Sequence, residues 1–368
     1  MRRALLALLA ALALALPACG GSGQAETTTT TAAPTTTAAP STTTSSTTTT
    51  TTPPTTTTTT TTVPPTTLPP GSPSPLNGLP VEDDGLLNRR VIAVKVDNHP
   101  DSRPQSGLQE ADAVIEIIVE GGITRFIALF HTADSGYVGP VRSVRPTDSA
   151  MLAPLDPVLL ISGGQAWIQA LASSRGIPLI GEGSAGLFRM PHRDAPHNLY
   201  ADTWDARSTA DGRGYDDDIN GPLYAIGEWN EPPETATTIT LDWAAGHVVS
   251  WEYDRGRYRR AENGVGHSWV DGADHRGQVS ADVLVVIEGR FYMAQPPPSG
   301  RSAVPAIETT GSGSLLLFAA GRVMEGTWER DDVNEQFRFF DADGNPAVVP
   351  PGIPWISVFP RERSVTWS

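Results

Sequence analysis

The distribution of apolar and polar positions divides the chain into stretches of different character. An unbroken Ala/Leu run extends from Ala4 to Leu16, and from Gly20 to about Ser74 large apolar residues are almost absent. Patterned elements begin only at Pro75. Apolar runs with strand-like spacing predict strands at Val91 to Val96, Ala113 to Val119, Arg125 to His131 and Val158 to Ser162. Helical spacing predicts helices at Pro146 to Ala153 and Gln165 to Ser174. Glu120-Gly121-Gly122-Ile123, between the second and third strands, reads as a hairpin turn, so part of the sheet is expected to be antiparallel.

The segment Glu228 to Thr238 is rich in breakers, and the pattern changes after it. Alternation at Val248 to Tyr253, Val283 to Ile287, Ser314 to Phe318 and Gln336 to Phe340 predicts short strands joined by Gly/Asp turns. The expected class is α+β, or mixed α/β: an amino-terminal α/β domain with a mixed sheet over residues 75–227, then a carboxy-terminal, mainly β domain over 228–368. About 300 patterned residues exceed what one core usually serves, which favours two domains.

The start of the chain carries an address. Arg2 and Arg3, the apolar run and then Leu16-Pro17-Ala18-Cys19 follow the order of a secretory signal, residues 1–19. The run is shorter than the roughly 18 residues a spanning helix needs. Its end resembles a bacterial lipobox, in which the cysteine sulfur accepts a diacylglyceryl group, so Cys19 is the expected lipidation site. Residues 20–74 are Thr/Pro-rich and too poor in apolar groups to offset ordering entropy, which predicts a disordered stalk. Such a stalk reaches from about 40 Å as a coil to about 170 Å as polyproline II.

Composition narrows the chemistry. Cys19 is the sole cysteine, which leaves the patterned part without a disulfide, a thiolate zinc ligand or a cysteine nucleophile. The formal charge of −15 becomes about −17 once Arg2 and Arg3 are removed, a sign that argues against nucleic acid as a partner. Lys95 is the only lysine.

Three clusters concentrate functional residue types. Asp97-Asn98-His99-Pro100 with Arg103 to Gly107 follows the first strand, at an edge where sheets commonly hold ligands. Glu120 to Arg125 precedes Gly139-Pro-Val-Arg142-Ser143-Val-Arg145-Pro146, and a third cluster runs from Arg189 through His192, Arg193, Asp194, His197 and Asn198 to Tyr200. Arginine forks suit phosphate or carboxylate, and neighbouring glycines admit backbone donors to the same anion. The candidate ligand-binding residues are Asp97, Asn98, His99, Arg103, Arg125, Arg142, Arg145, Arg193, His197 and Asn198. The competing expectation is internal pairing of the arginines with Asp97, Asp112, Glu116, Glu120 and Asp194.

Other motifs carry less. His99, His192 and His197 lack helix-face spacing, so no metal ligand set is assigned. Ser143 and Ser162 sit in no nucleophile elbow, and no catalytic residue is assigned. Asp216 to Asp218 with Asn220 departs from a calcium loop and reads as a solvated turn. Trp243, Trp251, Trp269, Trp328, Trp355 and Trp367 suit core packing more than a carbohydrate face.

Long strings in the patterned part resemble the YerB-like lipoproteins, a family of unknown function with an amino-terminal and a carboxy-terminal part. They are Pro75-Leu-Asn-Gly78, Asp97 to Pro100, Arg103 to Gly107, Ala111-Asp112, Glu120 to Phe126, Gly139 to Pro146, Gly163-Gly164, Ala195 to Tyr200, Gly311 to Gly313, Gly326 to Trp328 and Pro351 to Ile356. Lys95 departs from a position that is usually apolar in that family. A weaker resemblance, to the LytR-CpsA-Psr wall-polymer ligases, lies in Ala111-Asp112, Ser162 to Gly164 and Arg175 to Pro178. It implies Arg125, Arg142 and Arg145 on a pyrophosphate and Asp97 or Asp112 on magnesium. The expectation is therefore a lipid-anchored extracytoplasmic protein binding an anionic cell-envelope ligand, with no cofactor. The alternative is a magnesium-dependent phosphotransferase acting on lipid-linked polymer.

Overall fold

The computed structural model describes residues 71–215, 221–298 and 302–368. Cys19, almost all of the Thr/Pro-rich stretch and Asp216 to Asp218 lie outside the described residues.

Five strands of the amino-terminal region are β1 (Ile92–Asp97), β2 (Ala113–Ile118), β3 (Thr124–Phe130), β4 (Val158–Leu160) and β5 (Leu179–Ile180). Every residue of β1, β2 and β3 is buried, which is why these strands read as continuous apolar runs: both faces of the sheet are covered. The predicted hairpin is present, with β2 and β3 antiparallel from Ala113 opposite Leu129 to Ile118 opposite Thr124. Gly121 and Gly122 take φ of 75° and 74° in its turn, and a Cβ on Gly122 would come within 2.9 Å of the Ala244 methyl. The helices are α1 (Pro146–Leu152), α2 (Ala166–Ser174) and α3 (Thr203–Gly212), of which α3 lay outside the helical pattern recognised in the sequence.

An eleven-stranded sheet joins both regions. Its order is Pro346–Ala347, Arg338–Asp341, Arg322–Arg330, Gly311–Ala319, Val283–Gly289, Pro354–Pro360, β2, β3, β1, β4 and β5. Pro354–Pro360 runs parallel to β2, and β1 runs parallel to β4 and antiparallel to β3. The carboxyl ends of β1, β2, β4 and Pro354–Pro360 therefore share one edge with the start of β3.

A second sheet, with Thr238–Ala244, His247–Asp254 and Arg257–Glu262 at its centre, alternates as half-buried strands should. Its inward residues, among them Ile239, Leu241, Trp243, Val249, Trp251 and Tyr258, belong to one core with Phe126, Trp355 and Phe359 of the large sheet. Trp251 meets Trp355 edge-on at 5.2 Å between centroids, and Trp243 meets Phe359 at 4.9 Å. Trp243, Trp251, Trp328 and Trp355 are buried, while Trp269 and Trp367 are partly buried against the same core. The tryptophans thus serve packing.

Each face of the large sheet also buries an ion pair. On one face the Lys95 ammonium reaches Asp148 of α1 at 2.8 Å, with both side chains fully buried. On the other, Glu116 of β2 meets Arg260 of the second sheet at 2.6 Å, again with no exposure.

Candidate functional site

Asp97, the last residue of β1, lies at the carboxyl edge of the sheet opposite Arg125 of β3. The segment from Val138 to Val144 runs alongside. Asp97 N donates to Pro140 O (2.8 Å), Arg142 N to Lys95 O (2.8 Å), and Val144 N to Gly163 O (3.0 Å). These bonds carry Arg142 to the Asp97 carboxylate, where its Nε donates to Oδ2 at 2.8 Å. His197 Nδ1 lies 2.8 Å from the same oxygen, and Arg125 Nε lies 3.8 Å from Oδ1. Burial alone would raise the Asp97 carboxyl, but Arg142, Arg125, His197 and the His99 N–H together hold it below its ordinary value.

A second layer of polar groups extends from this point into the core. Asn98 donates to Thr124 Oγ1 and to Glu262 Oε2, both at 3.0 Å, and Gln105 Nε2 donates to Asp97 O and Asn98 Oδ1. Arg103 grips Glu262 and Asn98. His267 accepts from Arg260 at Nδ1 (2.6 Å), which leaves its Nε2–H to donate to Gln105 Oε1 (2.7 Å). Burial and the adjacent Arg260 push His267 well down, so it is neutral in this arrangement. Burial would raise Glu262, but His247, Arg260 and Arg103 hold it far below the ordinary carboxylate range.

Three guanidiniums are linked at the edge. Arg125 and Arg142 share Asp97, while Arg125 and Arg145 both donate to Ser143 O, at 3.1 and 3.5 Å. Arg145 also pairs with Glu120 at 2.8 Å. Burial, then the like charges of Arg145 and Arg142, lower Arg125 to about 10 against the pull of Asp97. Its Nε makes no hydrogen bond.

Of the residues singled out in the sequence, Asp97, Asn98, His99, Arg103, Arg125, Arg142 and His197 gather here, and Arg145 joins through Ser143. Arg193 instead clamps the Arg103 loop, donating to Ser102 O and Pro104 O at 2.7 and 2.8 Å. Asn198 accepts from the exposed Arg189. Asp112 precedes the start of β2, at the opposite edge, where it accepts from the N–H groups of His131, Thr132 and Ala133. A magnesium role beside the arginines is thereby closed to it, and Asp97 already faces two arginines and an imidazole. Arg125 and Arg142 face Asp97 and Arg145 faces Glu120, two of the carboxylates named in the sequence, whereas Arg103 pairs with Glu262, which was not.

Glu262, Arg260 and His267 went unrecognised in the sequence, and Glu116, expected to pair with the amino-terminal arginines, pairs with Arg260 instead. The available signal was the strand Arg257–Glu262 itself, where Tyr258, Arg260 and Glu262 all occupy inward positions of the alternation. A charged residue two positions from a buried tyrosine on the same face needs a buried partner.

Residues 76–216 match the family model described as the N-terminal domain of a protein of unknown function, DUF3048, and residues 239–356 match its C-terminal domain. The chain is 30% identical over 299 residues to the Bacillus subtilis protein named "Putative lipoprotein YerB", covering 78% of this chain and 86% of that one. It is also similar to the crystal structure of the YerB protein from Bacillus subtilis, with a TM-score of 0.67, 28% identity, and coverage of 80% of this chain and 99% of that chain. With both halves of the model matched in order across one continuous sheet, the chain belongs to the DUF3048 family, whose function is unknown.

Proposed function

We propose that this protein is an extracytoplasmic lipoprotein, tethered to the cell membrane through lipid on Cys19, whose folded part binds an anionic envelope ligand. The ligand class is a phosphorylated glycan or a lipid-linked intermediate, and the groups that receive it are Arg125, Arg142 and Arg145. The observation that carries the reading is Arg125: a buried guanidinium with an unbonded Nε, set between two further arginines, with only Asp97 and Glu120 as local counter-charges. An anion at this edge would relieve the repulsion among the three guanidiniums. Support for the anchor comes from the lipobox-like start and from the relative's name. Among the described residues no helix is long and apolar enough to cross a membrane.

Arg145 is the informative position, because its partner Glu120 is half-exposed, whereas loss of Arg142 would strip a partner from the buried Asp97. Arg145→Ala is expected to keep the fold and to weaken binding of phosphorylated wall glycan about 10- to 100-fold, the loss of one charge-assisted contact. Equilibrium dialysis against labelled glycan phosphate and against vesicles carrying a polyprenyl phosphate distinguishes the two sources. Wild-type affinity in the folded variant, or no binding of either probe by the unaltered protein, overturns the reading. For the anchor, Cys19→Ala should move the protein from the membrane pellet to the soluble fraction without changing its circular dichroism. Retention on the membrane after signal cleavage would rule out lipidation as the tether.

A further inference from the structure

The fold brings together His99 and His197, which the sequence keeps far apart. Their rings stack with centroids 4.9 Å apart and planes inclined by 22°. Asp101 completes the group, and one ligand-type atom from each of the three residues lies within 4.8 Å of the others.

The neighbours orient both rings. His99 Nδ1 accepts from Asp101 N at 3.3 Å and faces Asp101 Oδ2 at 3.5 Å, and a cation between them would take the lone pair from that N–H. The spacing is close to the edge of about 3.3 Å in a tetrahedral site with bonds of about 2.0 to 2.1 Å. His197 is oriented from behind. Its Nδ1 lies 2.8 Å from the buried Asp97 Oδ2, so the Nδ1–H donates to that carboxylate and Nε2 carries the lone pair. A carboxylate fixing the far nitrogen of an imidazole is the recurring support of metal-bound histidine. Asp97 Oδ1 also accepts from His99 N at 3.2 Å, so one carboxylate positions both histidines.

We propose that His99, Asp101 and His197 bind a zinc-type divalent cation, with Asp97 as the positioning residue and solvent in the remaining coordination place. Two imidazoles and one carboxylate suit a borderline ion better than magnesium or calcium, which prefer all-oxygen sets. His197 is the fixed ligand, with a side chain 13% exposed. His99 and Asp101, at 44% and 74%, are exposed enough to turn, as the stacked His99 ring must for its lone pair to meet that of His197 at one ion. The site shares Asp97 with the three-arginine reading but requires no anion.

Isothermal titration with zinc chloride alone tests it, on chelator-stripped full chain carrying Cys19→Ala so that no thiol competes. One ion per chain is expected. His99→Ala and His197→Ala should each weaken it at least about 10-fold, and Asp97→Asn by about 10- to 100-fold through loss of support to the ligands. Cobalt in place of zinc should give the visible absorption of a four-coordinate site, abolished in His197→Ala. If His197→Ala or Asp97→Asn fails to fold, the exposed His99→Ala decides. The proposal is overturned if the unaltered chain binds no zinc, or if folded His99→Ala binds it as tightly as the parent.

Discussion

Arg260→Met is expected to lower the unfolding free energy by about 3 to 5 kcal/mol, the usual consequence of removing one member of a buried charged set. Arg260 has no exposed surface, and its guanidinium donates to Glu116 Oε1 (2.6 Å), Glu262 Oε2 (3.1 Å) and His267 Nδ1 (2.6 Å). It also lies over the rings of Phe126, Trp355 and Trp251 at 5.3, 5.4 and 6.0 Å. Methionine keeps most of the volume and the contacts with those rings, so the loss is electrostatic. Glu262 retains Arg103 and His247, but Glu116 is left with only the Thr124 hydroxyl and the Trp355 indole N–H. Urea unfolding should show a lower midpoint with unchanged slope. Adding Glu116→Gln should recover part of the loss, since the uncompensated charge is then gone. An unchanged midpoint in Arg260→Met would mean that the network contributes nothing to holding the two sheets together.

Lys95→Met should cost a similar amount, about 3 to 5 kcal/mol at neutral pH, because it strands Asp148 in the core. Asp148 keeps one role: its Oδ2 accepts from Arg145 N at 2.8 Å and caps α1. Burial pushes the Lys95 ammonium from its ordinary 10.5 down to about 8 despite Asp148, and the nearby Arg125 and Arg145 push the same way. The folded state therefore binds fewer protons than the unfolded state between about pH 8 and 10.5, and stability of the unaltered protein rises with pH across that window, by at most about 3 kcal/mol. Lys95→Met lacks this gain, so the gap between the two proteins should widen from pH 7 to pH 10. Above pH 10 the buried tyrosines Tyr200, Tyr224 and Tyr258, whose hydroxyls burial pushes up, act in the opposite direction and limit the useful range. A constant gap from pH 7 to 10 would show that Lys95 does not titrate there.

These two pairs mark where sequence reading stops. Lys95 looked like a departure from an apolar strand position, and its partner lies on α1, more than fifty residues further on. Nothing in strand periodicity names a partner across a loop, because period two fixes the face a side chain takes and not what is brought against that face. Glu116 and Arg260 come from opposite halves of the chain, and the continuous sheet and the second sheet above it are what join them. The same holds at the edge of β1. The cluster Asp97 to Arg103 was legible as polar and glycine-flanked, yet its engagement with His197 and Glu262 depends on segments delivered from two other parts of the fold.

By itself the sequence determined the order and type of the principal elements, the mixed sheet with its glycine hairpin, the β-rich second half and the lipobox-like start. Those are local properties, set by residue spacing, turn conformation and the length of an apolar run. Only the tertiary structure decided that Pro354–Pro360 would lie beside β2, that each face of the sheet would bury an ion pair, and that Asp97 would hold two arginines and orient two histidines. The reason is physical. Burying a charge carries a cost that only a specific partner offsets, and which partner arrives is a matter of chain topology over long sequence separations.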